Sequence, residues 1–386
     1  MNAADAVVVG GGVIGSAIAY YLSRRGFAVT LVDRDDLASG TSGACGGSIT
    51  MQTKQVGPVL SCALQSQKLY RGLSDELAMD LEYREHGSLI VAETDAELEY
   101  LRMLFDAQQA TGLRIQWLDG TEARAWGPGL GSSVRAGTFC STDAEVNPLR
   151  VVFALSEAAR RNGAVIKAHT AVTGIRVENG RVVGVRTNRG DIATPLVVNA
   201  AGVWVPLIGQ LVGMTIPVGP RRGVVLVTDN VPIRVLGTLF STKYLISKRH
   251  PEGHARGLDT RTRWTGGLVL SQTVAGNLLI GSSRETSNYQ ADVSLEVIEF
   301  IAREALRLVP VARVAQLIRA YAGLRPFTSD GLPIIGEAPS PAGFIVAAGH
   351  EGDGVALAPW TGSVVAELIA SGEPPDDLRP FGLGRL

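Results

Sequence analysis

A short apolar run followed by closely spaced glycines constrains the fold of this chain more than any other feature. Residues 6–9 are β-prone and apolar, and they predict a buried parallel strand. Three glycines follow with the spacing G-x-G-x-x-G: Gly10, Gly12 and Gly15. Residues 13–25 then show helical apolar periodicity, and Gly26 is the type of residue that ends a helix. A second β-prone run, residues 29–32, leads directly to Asp33.

Strand, glycine turn, helix, strand and acid is the order in which a dinucleotide is bound. Gly10 permits the tight turn, Gly12 lets the backbone approach a pyrophosphate, and Gly15 lets the helix lie against the sheet. The helix N-terminus attracts the phosphates, and Asp33 would accept hydrogen bonds from a ribose. NAD and FAD share the adenosine half, so this unit does not distinguish them. A glycine-rich turn without a ligand is the alternative.

Composition and charge exclude several functional classes. The chain has 386 residues, enough for two domains, with 36 Lys+Arg against 37 Asp+Glu. There is no basic excess for nucleic acid, and the three cysteines form no CxxC pair for a metal, cluster or disulfide framework. The N-terminus lacks the flanks of a secretory signal, and no apolar run is long enough to span a membrane. We therefore expect a cytoplasmic protein with no membrane span and no metal.

Three further segments follow the opening fingerprint and its loop ASGTSGACGGSI in a fixed order. They are VVNAAGVWVPLI (Val197–Ile208), AYAGLRPFTSDGLPIIG (Ala320–Gly336) and AAGHEGDGVALAPWTGSVVAELI (Ala347–Ile369). Together, they resemble the D-amino acid oxidase-like superfamily of FAD-dependent oxidoreductases over nearly the whole chain. GSITMQTKQVGP and GNLLIGSSRE are most similar to β subunits of heteromeric amine dehydrogenases, such as opine oxidase, sarcosine oxidase, hydrogen cyanide synthase and D-hydroxyproline dehydrogenase.

The resemblance implies an α/β fold with two interleaved domains. A Rossmann-like FAD-binding domain would take residues 1–85, 146–215 and 320–386. An antiparallel-sheet α+β substrate domain would take residues 86–145 and 216–319.

The resemblance also implies that FAD is the cofactor. We expect it to be non-covalent, since Cys45 is the only cysteine in a flavin motif and TDAEVNPLRV contains no histidine. A second flavin (FMN) at a subunit interface is the further expectation, with Lys54 as a contact. The expected FAD contacts are Gly10, Gly12, Val13, Ile14, Gly15, Asp33, Arg34, Ser39, Thr41, Ser42, Gly46, Gly47, Val172, Ala201, Gly202, Trp204, Gly323, Arg325, Gly349, His350, Glu351, Gly352, Asp353 and Gly354.

The last glycine-rich segment predicts a helix whose first turn contains Pro359 and whose N-terminus faces the flavin. Arg325 could grip a substrate carboxylate, or pair with Asp330 and stiffen its turn. Tyr244 and Lys54 are further carboxylate candidates. His350 could tune the flavin, accept a proton from the substrate ammonium, or only pack beside the ring. The predicted catalytic residues are therefore Arg325, His350 and Tyr244.

The activity that the resemblance implies is oxidation of a C–N bond in a secondary amine or a D-amino or imino acid. The substrate would be proline-, sarcosine- or opine-like, and hydride would pass to flavin N5. We expect a β subunit, with partner subunits that carry an iron–sulfur cluster or a second nucleotide site. The alternatives are a stand-alone oxidase that produces hydrogen peroxide, a non-catalytic flavin-binding subunit and an NAD-dependent dehydrogenase.

One polar stretch, residues 247–264, fits either an exposed loop or an active-site lid or subunit contact. It contains His250 and His254, which have no third metal ligand nearby in the sequence.

Overall fold

The computed structural model describes residues 2–127, 129–249 and 265–385. Most of the polar stretch, including His250 and His254, lies outside these residues. The helices of the described chain are α1 (Val13–Arg24), α2 (Pro58–Leu77), α3 (Asp95–Gln109), α4 (Gly120–Trp126), α5 (Pro148–Arg161), α6 (Val205–Gln210), α7 (Thr242–Arg249), α8 (Leu295–Leu308) and α9 (Gly354–Ser371).

The strands of the described chain form four sheets. In chain order they are β1 (Asn2–Ala3), β2 (Ala6–Val9), β3 (Val29–Val32), β4 (Ser48–Ile49), β5 (Ser88–Ala92), β6 (Ile115–Asp119), β7 (Ala136–Cys140), β8 (Ala144–Glu145), β9 (Val165–Lys167), β10 (Val172–Glu178), β11 (Arg181–Thr187), β12 (Gly190–Ala193), β13 (Val197–Asn199), β14 (Gly219–Asn230), β15 (Thr238–Ser241), β16 (Thr265–Gln272), β17 (Asn277–Thr286), β18 (Leu317–Phe327), β19 (Ile334–Glu337) and β20 (Phe344–Ala348).

A six-stranded sheet with the order β19-β20-β13-β2-β3-β9 carries the opening fingerprint. Its neighbouring strands are parallel except β19, which runs antiparallel to β20. Every residue of β2, β3 and β20 is buried, as expected for parallel strands covered on both faces. Helices α1, α2, α5 and α9 pack together over one face. The small sheet β1-β12-β11-β10 belongs to the core on the other face.

The chain leaves the central strand β2 in a turn that only glycine fits. Gly10 has φ +112°, and a Cβ on it would lie 2.5 Å from the carbonyl oxygen of Ala200, which follows the neighbouring strand β13. Strand β2 pairs with β3 on one side and with β13 on the other. Because the order of the strands reverses here, a crevice opens at their carboxyl ends, where α/β sheets bind ligands.

A larger, mixed sheet has the order β18-β14-β17-β16-β15-β5-β7-β6, and only β5 and β15 pair in parallel. The strands predicted around residues 223–228, 268–272 and 277–281 lie within it, and the predicted helix at residues 295–308 is α8. Residues such as Leu268, Leu270 and Ile280 pack with α8 in one core. The alternate residues of the same strands face away from that core. The division into a cofactor and a substrate domain remains a prediction, and the boundary at residue 320 falls inside β18.

Helix α9 differs from the prediction in the position of its proline. Pro359 is not in the first turn but inside the helix, where its ring nitrogen cannot donate to the carbonyl of Val355. The hydroxyl of Tyr70, on α2, donates to that carbonyl at 2.6 Å. Since Tyr70 is fully buried, this side-chain donor replaces the missing helical hydrogen bond where water has no access.

Among the described residues, α9 is the one helix whose length and composition would allow it to cross a membrane, with mean hydropathy 1.3. It packs against α1 and α2, and 56% of it is buried inside the protein. Packing in the core accounts for the apolar composition of α9. That composition is therefore only weak evidence for a membrane span.

We predict that Tyr70→Phe lowers the free energy of unfolding by about 1–3 kcal/mol, because the buried Val355 carbonyl loses its donor. The same change should cost less in a Pro359→Ala background, where the helix regains its own N–H donor. Chemical denaturation of the four proteins of this cycle measures the difference. Equal losses in both backgrounds would show that Tyr70 does not compensate for the proline.

Candidate functional site

A cavity of about 560 Å³ opens at the crevice between β2 and β13, within the size range of ligand sites. The first turn of α1 and the turn before α9 both contribute to its wall. Residues from β14, β16, β17 and β18 of the larger sheet line it as well. The cavity therefore lies between the two sheets.

The structure brings nearly all of the predicted contacts together around this cavity. The predicted residues that line it are Gly10, Gly12, Val13, Ile14, Asp33, Arg34, Ser39, Thr41, Ser42, Gly46, Gly47, Val172, Ala201, Gly202, Trp204, Gly323, Arg325, His350, Glu351, Gly352, Asp353, Gly354 and Tyr244. Gly15 and Gly349 do not line it. A Cβ on Gly15 would lie 1.9 Å from the carbonyl oxygen of Gly10, so this glycine serves the packing of α1 against the turn.

The loop ends near β3 and β13 supply polar and aromatic groups to one part of the wall. The carboxylate of Asp33 accepts the backbone N–H of Gly11 at 2.6 Å and that of Asp35 at 2.9 Å. Burial raises the pKa of Asp33, although these two N–H groups oppose the change. The Arg34 guanidinium lies 4.2 Å from the centre of the Trp204 ring, so Trp204 packs against a cation here.

The start of α1 and two glycines leave room for a ligand. Gly12 caps α1 without a side-chain hydrogen bond, and the N–H of Val13 points to the hydroxyl of Ser42 at 2.9 Å. Gly46 and Gly202 line the cavity, and a Cβ on either would meet no atom within 4 Å. The wall is thus built from backbone that a ligand can approach closely.

Arg325 lies in the part of the wall formed by the larger sheet. Its guanidinium donates to the hydroxyl of Ser282 at 2.7 Å and to the carbonyl of Ser283 at 3.3 Å. No ion pair joins Arg325 to a carboxylate among the described residues. The alternative pairing with Asp330 is wrong, because Asp330 forms its ion pair with Arg385 at 2.7 Å.

Glu351 is a buried carboxylate that holds two arginines from the larger sheet. It pairs with Arg284 and lies 3.8 Å from a guanidinium nitrogen of Arg221. Burial would raise the pKa of Glu351, but Arg284, Lys248 and Arg325 lower it to about 2. Its φ of +49° is left-handed, a strained conformation that the surrounding contacts must hold.

Asp353 holds two lysines in the same way, two residues further on. Its carboxylate oxygens lie 2.8 Å from Nζ of Lys54 and 2.7 Å from Nζ of Lys248. Burial would raise the pKa of Asp353, but Lys248 and Lys54 hold it well below its usual range. The expectation for Lys54 is therefore corrected: it is buried and paired with Asp353, and it does not present its amino group to a second flavin.

His350 is buried beside these carboxylates. Its Nε2 lies 3.1 Å from the hydroxyl of Thr361, and burial lowers the pKa of the imidazole to about 4. The ring is therefore neutral at pH 7. The thiol of Cys45, which lines the cavity, donates to the carbonyl of Ser42, and burial raises its pKa to about 11.

Sequence reasoning missed Arg284, which links the two sides of the site. Strand alternation places it with Leu278 and Ile280, on the face that packs against α8. The pairing of β17 with its neighbours β14 and β16 shifts register near Arg284, and its side chain reaches Glu351 instead. Only the residue type, an arginine shortly after the apolar run of residues 278–280, could have indicated it.

A family model described as FAD dependent oxidoreductase matches residues 5–368. The chain belongs to this family. Glycine oxidase of Geobacillus kaustophilus is 32% identical over 99% of this chain and 97% of its own. Its crystal structure superposes with a TM-score of 0.90 and 30% identity, and each chain is fully covered. Subunit HcnC of hydrogen cyanide synthase from Pseudomonas aeruginosa is 28% identical over 98% and 95% of the two chains. The superfamily and the fold expected from the sequence are confirmed.

The residues of the cavity fit the cofactor of this family. The start of α1, where the N-cap residue Gly12 has no side chain, and the bare backbone at Gly46 and Gly202 would hold the diphosphate and its neighbouring groups. Asp33 has an acceptor carboxylate at the position where the fingerprint predicts a ribose contact. The turn before α9, rich in glycine, would lie against the flat ring. We infer that these residues bind FAD, and its non-covalent attachment remains a prediction.

We predict that Asp33→Ala weakens FAD binding about 10- to 100-fold, because the ribose loses a charged acceptor. Fluorescence titration of the apoprotein with FAD measures the dissociation constant. Asp36→Ala is the matched control, since Asp36 pairs with His169 outside the cavity wall and should leave the affinity unchanged. An unchanged affinity for both variants would contradict the assignment of Asp33.

We predict that Asp353→Asn lowers the free energy of unfolding by about 3–5 kcal/mol, because Lys54 and Lys248 lose their shared carboxylate. The pKa of Asp353 is lowered, so its contribution should be complete above about pH 4 and be lost as the pH falls further. Denaturation at several pH values, with saturating FAD, tests both statements. Glu367→Gln, which breaks an exposed pair with Arg25, should change little.

Proposed function

We propose that the protein oxidises a C–N bond of an amino acid, either a secondary amine or a D-amino or imino acid, with FAD as its cofactor. The observation that carries this proposal is the guanidinium of Arg325. It lines the cavity, and its hydrogen bonds in the described residues go only to Ser282 and Ser283. Burial and the nearby Arg284 lower its pKa, so an entering anion would be favoured.

A carboxylate fits this position better than a neutral group. Arginine binds carboxylates through two parallel N–H donors, and Tyr244 lines the same cavity. We assign the substrate carboxylate to Arg325 with help from Tyr244. Lys54, the other candidate, is already paired with Asp353.

The sheet beside Arg325 suits the hydrocarbon part of such a substrate. Val225, Val269 and Leu279 line the cavity from three strands, and Gly281 leaves space between them. Proline-, sarcosine- and opine-like molecules all carry hydrocarbon next to the amine. These residues would position the substrate and exclude water from the reacting bond.

When bound, FAD supplies the acceptor for the electrons of the oxidation. The remaining work falls to the chain itself. The N-terminus of α9, whose cap residue Asp353 makes no side-chain cap, would stabilise negative charge on the ring edge that faces it. His350 is neutral at pH 7 and can lie beside a substrate amine without repelling it.

We further propose that the chain is the β subunit of a heteromeric dehydrogenase, with partners that carry an iron–sulfur cluster or a second nucleotide site. The similarity to HcnC, itself a named subunit, supports this. The full-length similarity to a glycine oxidase supports the second candidate, a stand-alone oxidase. Hydrogen peroxide production by the purified chain with substrate would decide for the oxidase.

An anaerobic screen tests the activity. The yellow holoprotein is mixed with D-amino acids, D-proline, hydroxyprolines, sarcosine, glycine and opines, and the loss of flavin absorbance is followed. We expect at least one class of amino acid to bleach the flavin. A holoprotein that none of them reduces would exclude the proposed oxidation and favour a non-catalytic flavin-binding subunit.

We predict that Arg325→Met raises KM for the best substrate by about 100-fold or more, because a buried charged hydrogen bond to the carboxylate is lost. For the corresponding amine without a carboxylate, Arg325→Met should raise KM much less. Steady-state and anaerobic reduction kinetics give both values. Arg319→Met, at the exposed end of the same strand, is the matched control. An equal rise in KM for both compounds would show that Arg325 does not recognise the carboxylate.

A further inference from the structure

We infer that Arg284 is a positioning residue, which fixes the Tyr244 hydroxyl so that it donates its hydrogen bond into the cavity, to the substrate carboxylate. This inference rests on the proposed function. It adds a residue that does not line the cavity and that the predicted site did not contain.

Arg284 lies directly behind Tyr244. It is 2% exposed, and its Nη2 donates to the Tyr244 hydroxyl oxygen at 2.9 Å. The centre of the Tyr244 ring lies 4.8 Å from the guanidinium carbon. Tyr244 lines the cavity, whereas Arg284 does not. The arginine therefore acts on a ligand only through the tyrosine.

The direction of this hydrogen bond sets the direction of the next. A guanidinium can only donate, so the Tyr244 oxygen is the acceptor and its own proton must go elsewhere. No acceptor for that proton is found among the described residues. The hydroxyl is consequently left to donate to whatever acceptor enters the cavity. A carboxylate held by Arg325 would provide such an acceptor.

The guanidinium itself is held from the other side. Its Nη1 donates to Glu351, whose second carboxylate oxygen accepts the backbone N–H of Gly352. Two of its nitrogens are thus committed to two different elements, the turn before α9 and the helix α7. Lysine has a single flexible ammonium group and could not hold both partners in this fixed geometry.

Charged groups on several elements face Tyr244. They are Arg284 on β17, Arg325 on β18, Lys248 on α7 and Glu351 before α9. Burial raises the pKa of Tyr244, but the cations, with Arg284 first, outweigh it and lower the pKa below the usual value of tyrosine. A more acidic hydroxyl is a stronger donor, and it loses its proton at a lower pH.

The test uses the FAD-bound protein and propionate, a carboxylate without an amine, whose binding is read from the visible spectrum of the flavin. The variants are Arg284→Met, Arg284→Lys, Tyr244→Phe and the double variant Arg284→Met/Tyr244→Phe. Arg222→Met is the matched control. Arg222 also pairs with a glutamate of β17, at 2.8 Å, but it does not line the cavity and makes no contact with Tyr244.

We expect Arg284→Met and Arg284→Lys to weaken propionate binding about tenfold, the loss of one oriented hydrogen bond, while Arg222→Met leaves it unchanged. In Tyr244→Phe, the further change at residue 284 should have little effect. In the wild type, binding should weaken at high pH as Tyr244 ionises. That weakening should move to higher pH in Arg284→Met and disappear in Tyr244→Phe.

Two results would overturn the inference while the proposed function stands. In the first, the wild type oxidises amino acids, but Arg284→Met binds propionate with the same affinity as the control Arg222→Met. In the second, the binding free energy lost in the double variant equals the sum of the losses in Arg284→Met and Tyr244→Phe. FAD content and thermal unfolding identify any variant that fails to fold, and Arg284→Lys then carries the test. If the wild type binds no carboxylate and oxidises no amino acid, the proposed function fails first.

Discussion

Two carboxylates separated by one glycine hold this site together. Glu351 and Asp353 precede α9, and between them they pair with four cations from four other parts of the chain. The cations come from the loop after β4, from β14, from α7 and from β17. Buried charges are costly unless they are paired, so each carboxylate fixes the position of the elements that bring its partners. The turn before α9 therefore has its shape dictated by ion pairs as well as by its glycines.

These ion pairs join the two sheets where the cavity lies. The six-stranded sheet supplies backbone at Gly10 and Gly12, while the larger sheet supplies Arg325 and an apolar surface. Neither sheet contains a complete site. The cofactor and the substrate would meet between them, and the charges before α9 set the relative position of the two surfaces. Arg325 remains without a carboxylate partner in the described residues, which leaves one strong anion site in the wall.

Most of the residues that the sequence predicts as FAD contacts line the cavity, because their positions depend on local backbone. The spacing of Gly10, Gly12 and Gly15 and the acid after β3 are consequences of one strand–turn–helix unit, which short-range patterns describe. The substrate half depends on contacts between distant segments. Nothing local indicates that Lys54 pairs with Asp353, or that register shifts turn Arg284 towards Glu351. Pro359 was misplaced for the same reason, since its tolerance depends on Tyr70, far away in the chain.

The order of strands in the six-stranded sheet has a consequence for how this protein is made. Strand β13 pairs with β2, which precedes it by far in the sequence, and with β20, which follows it by far. The shared carboxylates and helix α9, which follows them, come later still. On the ribosome, β13 must therefore wait for β20 and α9 to emerge before the crevice can close. Long-range contacts of this kind slow folding, so the emerging polypeptide is exposed to chaperones and proteases until α9 has been made.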